Sequence, residues 1–197
     1  MKRPLILLSG GLDSALLLWY AEAQGMEVAA LHIFYGQPAG GMEINACRDL
    51  CTLAGVRLFT VRTEIPSMDA MNADPGLAGP RVVPARNAIL CSLAVGLAVD
   101  LACDEVWIGC NAADVADYPD CRAAFIEAMS EAAALATDGA VKVSAPLLGH
   151  SKGQIIEEAE EIGVPIGVTW SCYSPVDHQA CGTCDSCRIR LEAEERL

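Results

Sequence analysis

The sequence is short of positive charge: 13 lysines and arginines stand against 26 aspartates and glutamates, for a formal net charge of -13. Gripping a nucleic-acid backbone takes clustered Lys and Arg that displace counterions, so this balance argues against a broad nucleic-acid surface. Part of the acidity is local, at Glu157, Glu158, Glu160 and Glu161 and in the final Leu-Glu-Ala-Glu-Glu-Arg-Leu, where solvated helix faces account for it. Long apolar runs are missing as well. Hydrophobic residues make up 53% of the chain, yet charges or turn residues interrupt every run before the roughly 18 residues of a membrane span. The chain therefore reads as well cored, with no membrane contact. Lys2 and Arg3 precede an apolar stretch, but Leu5 to Leu8 meets Ser9-Gly10-Gly11 too soon to be the core of a secretory signal. A cytoplasmic location is expected. Also absent are Gly-x4-Gly-Lys-Ser/Thr and Gly-x-Gly-x-x-Gly, which removes the Walker loop and the dinucleotide fingerprint from consideration.

Ten cysteines would suggest a disulfide framework in a small secreted domain, but without an export signal a reducing compartment is the better reading. Six are scattered through apolar segments, where a free thiol behaves as a small buried hydrophobe. The other four form Cys172-x8-Cys181-x2-Cys184-x2-Cys187. Four thiolates complete a closed tetrahedral zinc site, and two C-x-x-C steps let successive sulfurs curl around one ion. A redox C-x-x-C does not call for a further upstream cysteine in register. Structural Zn²⁺ is expected there, pinning the C-terminal segment and doing no chemistry. His178, inside the same loop, is expected to be an exposed histidine.

Along the chain, apolar runs alternate with helix-forming segments. Strands are expected over Pro4 to Leu8, Val28 to Phe34, Val56 to Val61, Glu105 to Gly109 and Val141 to Ser144. Helices are expected over Ala15 to Ala23, Met42 to Ala54, Ala85 to Cys103, Arg122 to Ala136 and Ser151 to Ile162, with Ser151 as an N-cap. Such an order calls for an α/β fold: a doubly wound, parallel, five-stranded sheet with helices on both faces. The Pro- and Gly-rich stretch 63–84 is expected to be a long functional loop, a candidate lid. Asn111 to Cys121 is a polar loop at a strand's carboxyl end, where open α/β sheets place ligands. From Gly163 the texture turns to Pro, Gly and Cys, so a nucleotide-binding domain over 1–162 and a small zinc-binding segment over 163–197 are expected.

Ser9-Gly10-Gly11-Leu12-Asp13-Ser14 joins the first strand to the first helix. Unpaired backbone N–H groups and the positive end of the helix dipole converge there, the glycines let an anion approach closely, and Ser9 and Ser14 add hydroxyls. A ligand-free tight turn is the alternative; the flanking serines favour an anion site. With no lysine immediately following, the loop suits a pyrophosphate that departs as a unit. Asp13 would repel a bare polyanion, so Mg²⁺ is expected on the phosphates. Among the histidines, His32 sits inside a strand, where a satisfied core residue is the default, and nothing is assigned to His150. Arg86, Asp120, Arg122 and Lys152 border the same sheet edge, and arginine forks and a lysine suit carboxylate or phosphate, although exposed helix-end charges would read alike. Asn111, Asp114 and Asp120 offer acceptors and an amide for a purine-like ring.

The SGGLDS run resembles the signature of PP-loop ATP-pyrophosphatases. Phe34-Tyr35-Gly36-Gln37, Val83-Pro84-Ala85-Arg86-Asn87, Tyr118-Pro119-Asp120-Cys121-Arg122, Ser151-Lys152 and Thr169-Trp170-Ser171-Cys172-Tyr173, in that order and followed by the cysteine cluster, resemble the QueC family of 7-cyano-7-deazaguanine synthases. The resemblance spans nearly the whole chain. It implies ATP-dependent adenylation of 7-carboxy-7-deazaguanine, attack by ammonia to give an amide, and a second ATP-driven step to the nitrile. It also implies that Ser9, Gly10, Gly11, Asp13, Ser14 and Lys152 bind ATP and pyrophosphate. The implied substrate set is Tyr35, Gln37, Arg86, Asn87, Asn111, Asp114, Tyr118, Asp120 and Arg122, the implied zinc ligands are the four clustered cysteines, and a homodimer is implied. Two places depart from the family pattern: Pro38-Ala39 stand where Arg-His is usual, and Val115-Ala116-Asp117 where Tyr-Ser-Gly is usual. The chain also ends soon after Arg190. These departures leave open a ligase that conjugates the activated deazaguanine to another amine, such as a protein terminus in antiphage defence. Further alternatives are a PP-loop tRNA-modifying enzyme, which the acidic balance disfavours, and a non-catalytic zinc-bearing interaction module, which the intact Ser9, Asp13 and Ser14 disfavour.

Overall fold

A computed structural model describes residues 2–65, 83–172, 175–184, 186–188 and 191. Most of the expected lid, from 66 to 82, lies outside the described residues, as do Tyr173 and the terminal acidic stretch from 192.

Five parallel strands form one sheet in the order β3-β2-β1-β4-β5. They are β1 (Pro4–Leu7), β2 (Ala29–Phe34), β3 (Arg57–Arg62), β4 (Glu105–Trp107) and β5 (Lys142–Ser144). The connecting helices are α1 (Leu12–Ala23), α2 (Gly40–Ala54), α3 (Arg86–Asp100), the short α4 (Asp114–Asp117), α5 (Ala123–Ala136) and α6 (Lys152–Glu161). All five expected strands are present, with ends differing by a few residues. Among the described residues, the one correction of type lies in the polar stretch 111–121. It contains α4 and a 3-10 turn, Pro119–Cys121, because Pro119 can open a helical turn and cannot continue the one before it.

Strand alternation sends side chains to two cores. Leu5 and Leu7 face α3 and α5 together with Leu31, Ile33, Val106 and Val143. Ile6 and Leu8 face α1, α2 and α6 together with Leu16, Leu17, Leu50 and Ile155. Central β1 is covered on both faces, which is why its four residues are all buried and why its sequence shows no polar alternation. Local signals set the helix ends. Gly55 closes α2 in the left-handed conformation, at φ 69°. Ser151 and Gln154 form a reciprocal capping box that opens α6, the N-cap expected from sequence. Val164 and Ile166 pack in the same core as α1, so the chain beyond 162 begins inside the main body. The six scattered cysteines are all buried, as expected of small hydrophobes. Among the described residues no helix is long and apolar enough to cross a membrane.

The chain runs from β1 outward through β2 to β3, then returns to place β4 on β1's other side. This reversal leaves a crevice at the carboxyl ends of β1 and β4, where a doubly wound sheet binds its ligands.

Candidate active site

The loop after β1 takes its shape from two glycines. Gly10 has φ 87°, and a Cβ placed on it would lie 2.8 Å from the Glu43 carbonyl oxygen of α2, so only glycine lets the loop seat on that helix. Gly11 is the N-cap of α1 and supplies no side-chain cap. The first-turn amides of Leu12, Asp13 and Ser14 therefore have no intrahelical carbonyl to reach, which makes the helix start a seat for an anion. Ser9 and Ser14 play different parts. The buried Ser14 hydroxyl donates to the Gly11 carbonyl at 3.0 Å and accepts from the Ser9 N–H at 3.2 Å, closing the loop from within. Ser9 is exposed at the mouth, its Oγ 3.1 Å from that of Ser14 and 3.3 Å from the Gly11 N–H that donates to it.

Behind the loop, two side chains converge on the Leu8 carbonyl: His32 Nδ1 at 3.0 Å and Cys47 Sγ at 3.3 Å. Bonding a carbonyl fixes the His32 tautomer with the proton on Nδ1. Burial holds its pKa below the usual value; His32 is a neutral core histidine as expected, but only half satisfied, since its buried Nε2 has no hydrogen-bond partner among the described residues.

Lysine reaches the seat from far along the chain. Lys152, the first residue of α6, places Nζ 2.6 and 2.8 Å from the two carboxylate oxygens of Asp13. Asn111, fully buried just beyond β4, donates Nδ2 to Asp13 at 3.3 Å. Its Oδ1 accepts from the Ala113 N–H and its own N–H binds Asp114 Oδ2 at 3.0 Å. Burial, with Asp13 adding to it, raises the Asp114 pKa. Gly109 eases the approach of β4's end to the start of α1, where a Cβ would lie a tight 3.3 Å from the Ser14 nitrogen. Asp13, Asn111, Asp114 and Lys152 thus meet in one group. Asp13 is neutralised by the lysine, a partner the sequence reading did not foresee in proposing Mg²⁺ for that purpose.

The remaining predicted residues divide by what they touch. The Arg86 guanidinium lies 3.4 Å from the Tyr35 hydroxyl, and burial raises the pKa of that tyrosine. Gln37 is buried with its amide engaged inward: Oε1 accepts from the Tyr35 N–H at 2.8 Å, and Nε2 donates to the Ile33 carbonyl and to Glu43 Oε2. Asn87 and Asp120 are turned toward each other. The Asp120 carboxylate accepts from the Asn87 N–H at 2.9 Å at the start of α3, and Asn87 Nδ2 donates to the Asp120 carbonyl at 3.0 Å. Arg122, exposed at the start of α5, donates Nε to the Val115 carbonyl at 3.2 Å. Tyr118 is half-buried against the α3–α5 side of the sheet. Ala85, between Pro84 and Arg86, has φ 55°, a left-handed conformation costly for a residue with a Cβ. Glu43, missed in the sequence as one acid on a polar helix, has its pKa raised by burial and stands between Gln37 and the glycine loop.

At the C-terminal end the sulfurs of Cys172, Cys181, Cys184 and Cys187 all lie within 4.8 Å of one another. Zinc–sulfur bonds of about 2.3 Å in a tetrahedron put sulfurs roughly 3.8 Å apart, and Cys181 Sγ lies 3.9 Å from Cys187 Sγ. The cluster fits such an ion. Main-chain N–H groups already point at it: that of Cys181 at Cys172 Sγ, 3.3 Å, and that of Cys184 at Cys181 Sγ, 3.4 Å. Backbone donors from Thr183 and Cys184 bring the Cys181 pKa down to about 6, whereas burial pushes that of Cys187 up, so within the group it is Cys181 whose surroundings favour the thiolate. His178 is exposed and outside the group. The cluster's segment also touches the glycine loop, for the Trp170 N–H donates to the Gly10 carbonyl at 2.7 Å.

Comparison with solved structures finds the same fold in proteins of low sequence identity. An NMN synthetase from Francisella tularensis superposes with a TM-score of 0.57 at 19% identity, covering 98% of this chain and 76% of the other. A U34-tRNA thiolase, NcsA, from Methanococcus maripaludis gives 0.54 at 16%, covering 99% and 64%. Sequence relatives are nearer. A 7-cyano-7-deazaguanine synthase of Stenotrophomonas maltophilia (strain K279a) is 41% identical, with 98% of this chain and 94% of the relative aligned. One from Paramagnetospirillum magneticum is 38% identical, with 98% and 93% aligned. The profile of the family described as "Queuosine biosynthesis protein QueC" matches residues 3–197. Matched by that profile along residues 3–197 and aligned almost end to end with synthases at 38–41% identity, this chain belongs to the QueC family.

Proposed function

We propose that this chain is an ATP-dependent carbon–nitrogen ligase that adenylates 7-carboxy-7-deazaguanine at the loop 9–14 and converts it with ammonia to 7-cyano-7-deazaguanine. The observation that carries the reading is the Asp13–Lys152 pair set at the helix start that follows Ser9-Gly10-Gly11, in a chain aligned almost end to end with synthases of that name. A carboxylate becomes open to an amine when ATP transfers AMP to it and pyrophosphate leaves. In this reading the amides of residues 11 to 14, the Ser9 hydroxyl and Lys152 hold the departing pyrophosphate. Charge developing on the leaving group then meets donors that are already oriented. Mg²⁺ bound to the incoming ATP would lower the charge these groups have to meet. Arg86, with Tyr35 beside it, receives the substrate carboxylate; Asn111, Asp114, Tyr118 and Arg122 line the ring's place. Gln37, Asn87 and Asp120 act by holding the surrounding turns. Ammonia attacks the acyl-adenylate to release AMP, and a second ATP activates the resulting amide oxygen, whose loss with AMP leaves the nitrile.

The cysteine cluster belongs to this reading as a structural Zn²⁺ site, and residues 163–197 as the segment it organises on the domain 1–162. A homodimer working in the cytoplasm completes it. Incubating the protein with 7-carboxy-7-deazaguanine, ATP, Mg²⁺ and ammonium should give the nitrile by mass spectrometry with AMP and pyrophosphate released, and metal analysis should return zinc. Accumulation of adenylate or amide without nitrile would overturn the synthase reading. That outcome would favour a ligase serving another amine, the alternative that Pro38-Ala39 and Val115-Ala116-Asp117 raise.

A further inference from the structure

The glycine loop depends on one main-chain bond from the far end of the chain. A trans peptide is planar, with its C=O and N–H on opposite sides, so the direction of the Gly10 carbonyl decides where the Gly11 N–H points. Gly10 has φ 87° and no Cβ, a residue around which the next peptide plane rotates with little steric resistance. Turned one way, that peptide offers an N–H to the anion. Turned the other way, it presents a carbonyl oxygen and repels it. The Trp170 N–H takes the Gly10 carbonyl at 2.7 Å, and the opposite edge, the Gly11 N–H, meets Ser9 Oγ at the exposed mouth of the loop.

Trp170 is itself held from both sides in sequence. Thr169 is buried, with its hydroxyl on the Ile166 carbonyl at 2.7 Å, and Ile166 is in the core. On the other side the indole Nε1 donates to the Cys172 carbonyl at 2.9 Å, at the first residue of the cysteine cluster. The Trp170 carbonyl closes over Gly11, 3.5 Å from where a Cβ would stand. We propose that Trp170 is a positioning residue whose main-chain N–H locks the Gly10–Gly11 peptide with its N–H toward the pyrophosphate. The C-terminal segment thereby serves the reaction through loop orientation. This rests on the reading of loop 9–14 as a pyrophosphate seat.

The test is isothermal titration with inorganic pyrophosphate. Trp170→Pro removes the main-chain donor together with the indole and its bond to Cys172, and Thr169, at φ -70° and ψ 154°, already has the backbone a residue before proline requires. It should weaken binding about tenfold, the worth of one hydrogen bond, while metal content stays at the wild-type value. Trp170→Ala keeps the main-chain donor but loses the indole and its bond to Cys172, and should bind within about threefold of wild type; a role through packing alone would weaken it as far as the proline variant. A folded Trp170→Pro variant that binds like wild type overturns the inference and leaves the functional reading standing. Absence of binding by the wild type overturns the reading. Should the proline variant not fold, amide exchange of wild-type Trp170 decides: protection that rises on saturation with pyrophosphate supports the lock, and exchange at the unprotected rate refutes it.

Discussion

Replacing Lys152 with methionine should weaken pyrophosphate binding roughly a hundredfold, and the structure gives the reason. In the wild type Nζ lies 2.6 Å from Asp13, so the pair contributes almost no net charge to the seat. Without the lysine, Asp13 faces the anion with Asn111 Nδ2, at 3.3 Å, as its hydrogen-bond donor from that group. Coulomb's law at an effective dielectric of about 20 gives roughly 3 kcal/mol of repulsion between unit charges about 5 Å apart, and that is about two decades in Kd. The Asp13 and Lys152 side chains are 23% and 31% exposed, so solvent trims this figure and does not erase it. The signs of the companion variants follow. Asp13→Asn leaves an unpaired ammonium at the seat and, without divalent ions, should bind pyrophosphate more tightly than wild type. The double variant should return to near the wild-type value. Titration calorimetry without Mg²⁺ reads all four proteins, and repeating it with Mg²⁺ shows whether Asp13 also contacts the cation. If Asp13 ligates the cation, Asp13→Asn weakens binding only when Mg²⁺ is present. A Lys152→Met protein that binds Mg²⁺-free pyrophosphate like wild type refutes the electrostatic argument outright.

Gly10→Ala should cost about 1–2 kcal/mol for left-handed strain alone, with the Glu43 carbonyl contact at 2.8 Å added to it. Scanning calorimetry should show Tm lowered by about 2–8 °C in a chain of this size; a change under about 1 °C would mean that the loop shifts freely off α2. His32 titrates less readily folded than unfolded, because burial lowers its pKa. The unfolded chain therefore binds the extra proton first, so this part of the stability is complete above about pH 6.5 and is lost as pH falls toward the folded value. Urea unfolding of wild type and His32→Gln across that range should show a flatter profile for the variant, and parallel profiles would remove His32 as the source.

Reading the sequence was enough for the fold class, because each strand is a short apolar run and each helix start or stop carries its own signal. Gly55 ends α2 with a left-handed residue and Ser151 with Gln154 opens α6. Local too was the glycine loop, since strand, Gly-Gly and helix are contiguous and their unpaired amides follow from helix geometry. The cysteine cluster was legible for the same reason, its four thiols falling in one short stretch. What each polar side chain does was another matter. Gln37, Asn87 and Asp120 stand among site motifs, yet their hydrogen bonds go to neighbouring turns. No periodicity tells an inward amide from one facing a ligand.

Pairings across long separations needed the sheet order. Asp13 and Lys152 lie 139 positions apart, and Asp13 and Asn111 lie 98; they meet because β4 returns to the side of β1 opposite β2. Trp170 reaches Gly10 because the chain after α6 folds back over α1's core. Local chemistry in the sequence determined the elements, the glycine turn and the grouping of the four cysteines. The neutralising partner of Asp13, and the direction the Gly10 carbonyl faces, were decided only by tertiary packing, since both are properties of groups that chain order keeps apart.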